Sequence, residues 1–232
     1  MKKANLLIVG MLTFLVVLTP ILFVNTYFLA TRVVSFETRL EVFENLTQYE
    51  NVIFSSDDAH VMWMTLNYGT YEDVSDVNFG DSEWLQVATS VGGNRESRIF
   101  LKFPLSSILD LNIVSVKLFL YKTSRHASGW VSVGNIEARI VSNDSWTEDT
   151  ITWNNQPEYT TLLDVIQVTF ESNRWYSWDV TPLVQHDYVS GDEYVSICLK
   201  AENENQGDLY RSTDFRSSEN GFHPYLSVEY EG

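Results

Sequence analysis

Cysteine is almost absent. Cys198 stands alone in 232 residues, so no disulfide can form within the chain, and the fold must rest on its core rather than on covalent staples. Basic residues are scarce too, 15 Lys and Arg against 31 Asp and Glu, for a formal charge of −16. Such a surface repels the phosphates of nucleic acid and anionic lipid headgroups, and nucleic acid is not expected as a partner. The four histidines, His60, His126, His186 and His223, are scattered without the spacing that metal ligands need. No nucleophile elbow, zinc helix, phosphate loop or Cys–His pairing is present. The adjacent acids Asp57-Asp58 and Glu148-Asp149 would point to opposite faces of a strand and make poor acid/base pairs. A non-enzymatic chain with no cofactor is therefore expected. The rival is a glycosidase whose two carboxylates come from distant strands and so share no local motif.

Beyond residue 51 the chain also lacks any long helical period. Ile99/Leu101/Phe103, Val114/Val116/Leu118/Leu120, Ile136/Ala138/Ile140, Val195/Ile197/Leu199 and Leu226/Val228/Tyr230 alternate at period two, between segments rich in Gly, Asn, Asp and Ser. Many short strands at this spacing predict an all-β sandwich or barrel. With 44% hydrophobic and 14% aromatic content, the residues suffice for one sizeable core.

Charge is missing altogether from residues 4–31. As a helix that run would extend about 40 Å, enough for the ~30 Å hydrocarbon core of a bilayer. Lys2 and Lys3 precede it and only Arg32 follows closely, an asymmetry that predicts an uncleaved signal anchor with the rest of the chain outside the cell. Phe28-Leu29-Ala30 makes a poor cleavage site. Val33, Phe36, Leu40 and Phe43, interleaved with Glu37, Glu41 and Glu44, predict an amphipathic stalk. The expected organisation is thus an anchor over 1–31, a stalk over 32–50 and a β-sandwich over 51–232.

The most informative stretch runs Trp146-Thr147-Glu148-Asp149-Thr150-Ile151-Thr152-Trp153-Asn154-Asn155-Gln156-Pro157, followed by Trp175-Tyr176-Ser177-Trp178-Asp179. It resembles the signature of the DNRLRE-type domain, carbohydrate-binding module family 96, found on surface and secreted proteins of bacteria and archaea and in disaggregatase-related proteins. Asn78-Phe79-Gly80, Arg98-Ile99-Phe100-Leu101-Lys102-Phe103, Leu183-Val184-Gln185 and Phe215-Arg216-Ser217-Ser218-Glu219 extend the resemblance over nearly all of the chain after residue 53. Pro104 stands where the family usually has Asp. The resemblance narrows the fold to a jelly-roll sandwich and implies binding of a cell-surface or environmental polysaccharide without cleavage. The alternative is a structural coat or filament subunit that self-associates through sandwich and stalk.

If Ile99, Leu101 and Phe103 face the core, Arg98, Phe100 and Lys102 face the other way, as do Lys117, Phe119 and Tyr121 on the next such strand. Lys200 follows by alternation with Ile197 and Leu199, and Arg216 joins by resemblance alone. Arg98, Lys102, Tyr121, Lys200 and Arg216 are the expected ligand-binding residues, the cations for hydroxyls or uronate carboxylates and Tyr121 as a stacking surface. The competing expectation is that each cation forms a structural bridge to an acid such as Glu219 or Glu229. Trp146, Trp153, Trp175 and Trp178 are assigned to structure first. Glu72, Asp73, Asp76, Asn78 and Asp81 lie in an acidic loop over 70–81, where a structural calcium ion could be gathered; their spacing fits no EF-hand, and a solvated loop is the preferred reading.

Overall fold

The computed structural model describes residues 48–64, 73–90, 95–123, 134–204 and 211–232, and the expected anchor and stalk up to residue 47 lie outside them. Among the described residues no helix is long and apolar enough to cross a membrane. Strand β1 starts at Gln48, three residues before the expected boundary at 51.

The described residues form eleven strands: β1 (Gln48–Phe54), β2 (Asp57–Met64), β3 (Trp84–Thr89), β4 (Arg95–Pro104), β5 (Asn112–Lys122), β6 (Gly134–Val141), β7 (Tyr159–Val168), β8 (Arg174–Asp179), β9 (Tyr194–Ala201), β10 (Arg211–Arg216) and β11 (Tyr225–Glu231). All pair antiparallel, in the order β1-β11-β5-β10-β3-β4-β9-β6-β7, with β8 added to β5 and β2 to β4. The sheet folds back on itself at two thin joints. β10 touches β5 through the single pair Phe215↔Lys122, and β3 touches β4 through Ala88↔Ser97. The result is sandwich-like, one layer being β1-β11-β5-β8 and the other β2-β4-β9-β6-β7.

One apolar cluster fills the space between the layers. Val116, Leu118, Leu120, Leu226, Val228 and Trp178 come from the first layer, and Ile99, Leu101, Phe103, Ile136, Ile197 and Leu199 from the second. Period-two alternation places these residues correctly, with two exceptions at one end of the β5–β11 pair: Val114, and Tyr230, which is half-buried and stacks on Tyr49 at 5.5 Å instead of joining the core. Val114 was expected inside and is 37% exposed. The β5–β11 register shifts between Glu229 and Tyr230, so that Ser115 and Ile113 have partners and Val114 has none. This bulge reverses the facing of the strand, and Ile113 packs on the core instead.

A helix that alternation did not foresee, α1 (Thr181–Ser190), follows β8 and buries Leu183 and Val184. Its start is legible in chemical terms. Pro182 sits in the first turn, where a missing N–H costs nothing, and the Asp179 carboxylate accepts from the Thr181 N–H at 3.0 Å.

Candidate functional site

The two layers differ sharply in what lies on their outer faces. On the β2-β4-β9-β6 side the outward Ala59, Val61, Phe100 and Cys198 are covered by the segment 142–158, whose Trp146 and Ile151 complete a second apolar cluster. The cover is held by side-chain amides. Asn78 donates to the carbonyls of Glu148 (2.6 Å) and Ile151 (2.7 Å), and Asn155 accepts from Thr152 N–H (2.6 Å) while donating to the Thr150 carbonyl (2.9 Å). Gly80 lies so close to the Glu148 carbonyl that a β-carbon there would collide with it, which gives the Asn78-Phe79-Gly80 motif a steric reason. Asp76 accepts from Asn154 (2.7 Å) and Asp73 from the Ser75 N–H (3.0 Å). The described part of the acidic loop thus fastens the cover and is not merely solvated.

Two of the five expected ligand-binding residues, Arg98 and Lys102, lie under this cover, and a third, Lys200, is buried on β9 near Cys198 in sequence. Arg98 makes a two-pronged pair with Glu204 (2.8 and 2.9 Å) and donates to Gln156 (3.0 Å), its guanidinium 4.4 Å from the Trp153 ring and 5.0 Å from that of Tyr159. Lys102 is paired with Asp57 at 3.1 Å and donates to the Trp146 carbonyl, and Trp146 donates to Ser196 at 3.1 Å. Lys200 lies 3.4 Å from Glu137 and 3.8 Å from Glu204. Burial alone would raise the Glu137 carboxyl, but Arg139 and Lys200 hold it below its ordinary value. Alternation was right that these cations leave the central core, but they meet the buried Glu137 and the partly shielded Asp57 and Glu204 and not the Glu219 and Glu229 suggested by sequence. Arg216 stands opposite Trp84 on β10 and shares no hydrogen bond, ion pair or ring contact with the other four.

The outer face of the β1-β11-β5-β8 layer is open and aromatic. Cross-strand pairing sets Phe54 against Tyr225, Tyr225 against Phe119, and Tyr121 against Trp175. Phe119 and Tyr225 stack at 5.0 Å and 9°, and Tyr121 stacks on Phe222 at 4.3 Å and 22°. Trp175 stands edge-on to both Tyr121 and Tyr225, 5.2 Å from each at 70°. Phe54 extends the group towards His223, 5.6 Å away. Phe54, Phe222 and Trp175 remain 57%, 40% and 37% exposed. Rings held by one another keep few conformations to lose, and their edges and faces present a large apolar surface to an incoming molecule.

Of the five expected residues, only Tyr121 belongs to this face. Phe54, Trp175, Phe222 and Tyr225 join it there without having been singled out as ligand-binding residues, and Trp175, assigned to structure first, is 37% exposed. Trp146 and Trp178 are buried and Trp153 is half-buried against Arg98. Period two carried the missing signal in three cases: Ile53, Leu226 and Trp178 point inward, which sends Phe54, Tyr225 and Trp175 out. Phe222 has no such signal, because it sits in a turn entered through Gly221 at φ 77°.

A third feature joins distant parts of the chain. The carboxylates of Asp58, Glu148 and Glu219 lie within 4.8 Å of one another. Asp58 accepts from the Ser218 N–H (3.0 Å) and Ser55 (3.3 Å), and its own N–H donates to Glu148 (3.1 Å). Desolvation, and then the charge of Glu219, raises the Asp58 carboxyl above its ordinary range; Glu148 is raised by burial and by Asp58, Glu219 and Asp57. Three hard oxygens are part of what a calcium ion gathers, which takes six to eight.

The model of carbohydrate-binding module family 96 matches residues 64–230. A gellan lyase of Bacillus sp is 29% identical over 120 residues, which are 50% of this chain and only 5% of that much longer protein.

Proposed function

The chain belongs to carbohydrate-binding module family 96, and on that premise we propose that it binds a polysaccharide on the aromatic face of β1, β5, β8 and β11 without cleaving it. The observation that carries the proposal is the group of Phe54, Trp175 and Phe222, large rings left open to solvent on one face and braced by Phe119, Tyr121 and Tyr225. A pyranose offers a flat patch of C–H bonds that an aromatic ring can cover, while its hydroxyls keep their contact with water and with polar side chains around the rings. Arg98, Lys102 and Lys200 serve the fold in this reading, because each is already engaged with a carboxylate. The open aromatic face supports glycan binding over assembly into a coat or filament.

The site is tested with Trp175→Ala and Phe222→Ala, measured by affinity electrophoresis in polysaccharide gels and by thermal melting. Retardation lost with the melting curve unchanged supports the site, and retardation intact in both variants removes it.

The jelly-roll connectivity and the location belong to the same proposal. The uncharged run over 4–31 and the lysines before it support a single-pass anchor that holds the binding domain outside the cell. Protease added to intact cells then releases a soluble fragment of most of the chain, and a protected domain argues against the arrangement.

A further inference from the structure

Two stretches of the chain read Asn-X-Ser/Thr with X other than Pro, Asn45-Leu46-Thr47 and Asn143-Asp144-Ser145. This is the acceptor pattern of N-linked glycosylation, which uses surface loops of exported chains. The first lies outside the described residues, and the second opens the segment 142–158 that covers the β2-β4-β9-β6 side. The chain around it is anchored: the Ser142 N–H donates to the Glu158 carbonyl (3.2 Å), the Asp144 carbonyl accepts from Lys102 (3.4 Å), and Trp146 is buried in the second apolar cluster. Between these anchors Asn143 and Ser145 are exposed. Asn143 Oδ1 accepts from the Ser145 N–H at 2.8 Å, which folds the side chain back over the residue two places on. The Asn143 Nδ2 and the Ser145 hydroxyl have no hydrogen-bond partner among the described residues. Most other asparagines are committed: Asn51, Asn78, Asn112, Asn135, Asn154 and Asn155 all donate their amide hydrogens to protein acceptors.

Resting on the placement of the domain outside the cell, we propose that Asn143 is a site of N-linked glycosylation. The donor is a sugar carried on a lipid phosphate. The Asn143 amide nitrogen attacks its anomeric carbon; the new C–N bond forms as the C–O bond to phosphate breaks, the phosphate leaves with the electron pair, and the amide proton passes to a base of the transferring enzyme. The free hydroxyl of Ser145 is the group that marks the asparagine as an acceptor. Because Asn143 is exposed and its nitrogen makes no bond within the protein, attachment displaces no core side chain and leaves no acceptor stranded. The sugar stands at the entrance to the Trp-rich cover on one layer, and the aromatic face of β1, β5, β8 and β11 on the other layer stays open.

The test uses the full chain isolated from the cells that make it, with mass spectrometry of the peptide that spans Asn143 and an external-protease assay on the same intact cells. The peptide is expected to carry the added mass of one or more sugar residues. That mass is expected to be lost in Asn143→Gln and in Ser145→Ala and kept in Ser145→Thr, which retains the hydroxyl. The melting curve of Asn143→Gln is expected to match that of the parent stripped of its sugar, because the side chain holds only a local turn. A domain open to external protease whose Asn143 is unmodified overturns the modification and leaves the location standing. A domain that is protected and unmodified overturns both. A sugar that persists on Asn143 in Ser145→Ala shows attachment independent of the hydroxyl and overturns the assignment of this acceptor.

Discussion

Arg98 lies with its guanidinium carbon 4.4 Å from the ring of Trp153 while both of its outer nitrogen edges are engaged, by Glu204 on one side and Gln156 on the other. The pair ties β4 to the Trp-rich cover through a charge that is only 13% exposed, so removing the cation strands a carboxylate that is equally shielded. Arg98→Ala is expected to cost about 3–5 kcal/mol, the range for breaking a shielded ion pair by deleting one partner. Denaturant unfolding measures the loss. Unchanged stability with glycan binding abolished would return Arg98 to the ligand site.

Trp153 shares that contact but is only half-buried. Trp153→Ala is expected to lose about 2–3 kcal/mol, less than a fully buried tryptophan, with binding intact in the folded fraction. A variant that melts with the parent and no longer binds glycan would put Trp153 in the site.

Trp178 and Trp175, three residues apart on β8, are expected to separate stability from binding. Trp178 is wholly buried and donates to the Ile136 carbonyl at 3.0 Å, so Trp178→Ala should cost about 3–5 kcal/mol. Trp175→Ala should cost about 1 kcal/mol or less, because part of the ring already contacts water. Equal melting losses for the two variants would contradict the division between inward and outward positions on this strand.

The acid cluster predicts a pH dependence with a definite sign. Asp58 has a folded-state pKa raised above its ordinary 3.8, chiefly by desolvation, so the folded chain holds that proton more tightly than the unfolded chain. The penalty of ionising it is in full force above the raised value and is relieved as pH falls towards the ordinary one. Glu137, held low by Arg139 and Lys200, works in the opposite direction, so the test is a difference. Between about pH 7 and about pH 4.5, the stability of the wild-type chain relative to Asp58→Asn should rise on acidification. A difference that stays flat or falls would show that the site does not raise the Asp58 pKa.

Cys198 is fully buried in the second apolar cluster, and burial pushes its thiol up to about 12. A thiol reagent at neutral pH is expected to react at the rate of unfolding, and denaturant should expose the group. Rapid labelling of the native chain would mean that the cover over residues 142–158 opens readily.

Much of the fold was legible because a strand buried on one face writes its orientation at period two. Ile99/Leu101/Phe103 and Val195/Ile197/Leu199 face the core as their spacing implies. The spacing failed at Val114, where a bulge set by pairing with β11 reverses the facing, and it says nothing about Phe222, which a turn delivers to the aromatic face. The expected site was harder to read. Period two separates the two faces of a strand, but whether the outward face meets water or more protein depends on a segment 40 or more residues away. Arg98, Phe100 and Lys102 leave the central core as expected and enter a second one.

By itself the sequence determined that this is a strand-built domain without disulfides, strongly acidic, and similar through its tryptophan motif to a family of glycan-binding modules. Those properties depend on composition and local spacing, which no later contact alters. Only the tertiary structure decided which outward face stays open. Asn78 and Gly80 seat the Trp-rich cover over one layer, where Arg98 and Lys102 pair with carboxylates beneath it, while the pairing of β1, β5, β8 and β11 gathers Phe54, Tyr121, Trp175 and Tyr225 from four strands onto the other. Residues 54, 121, 175 and 225 become neighbours through long-range pairing, and no local spacing in the chain encodes that neighbourhood.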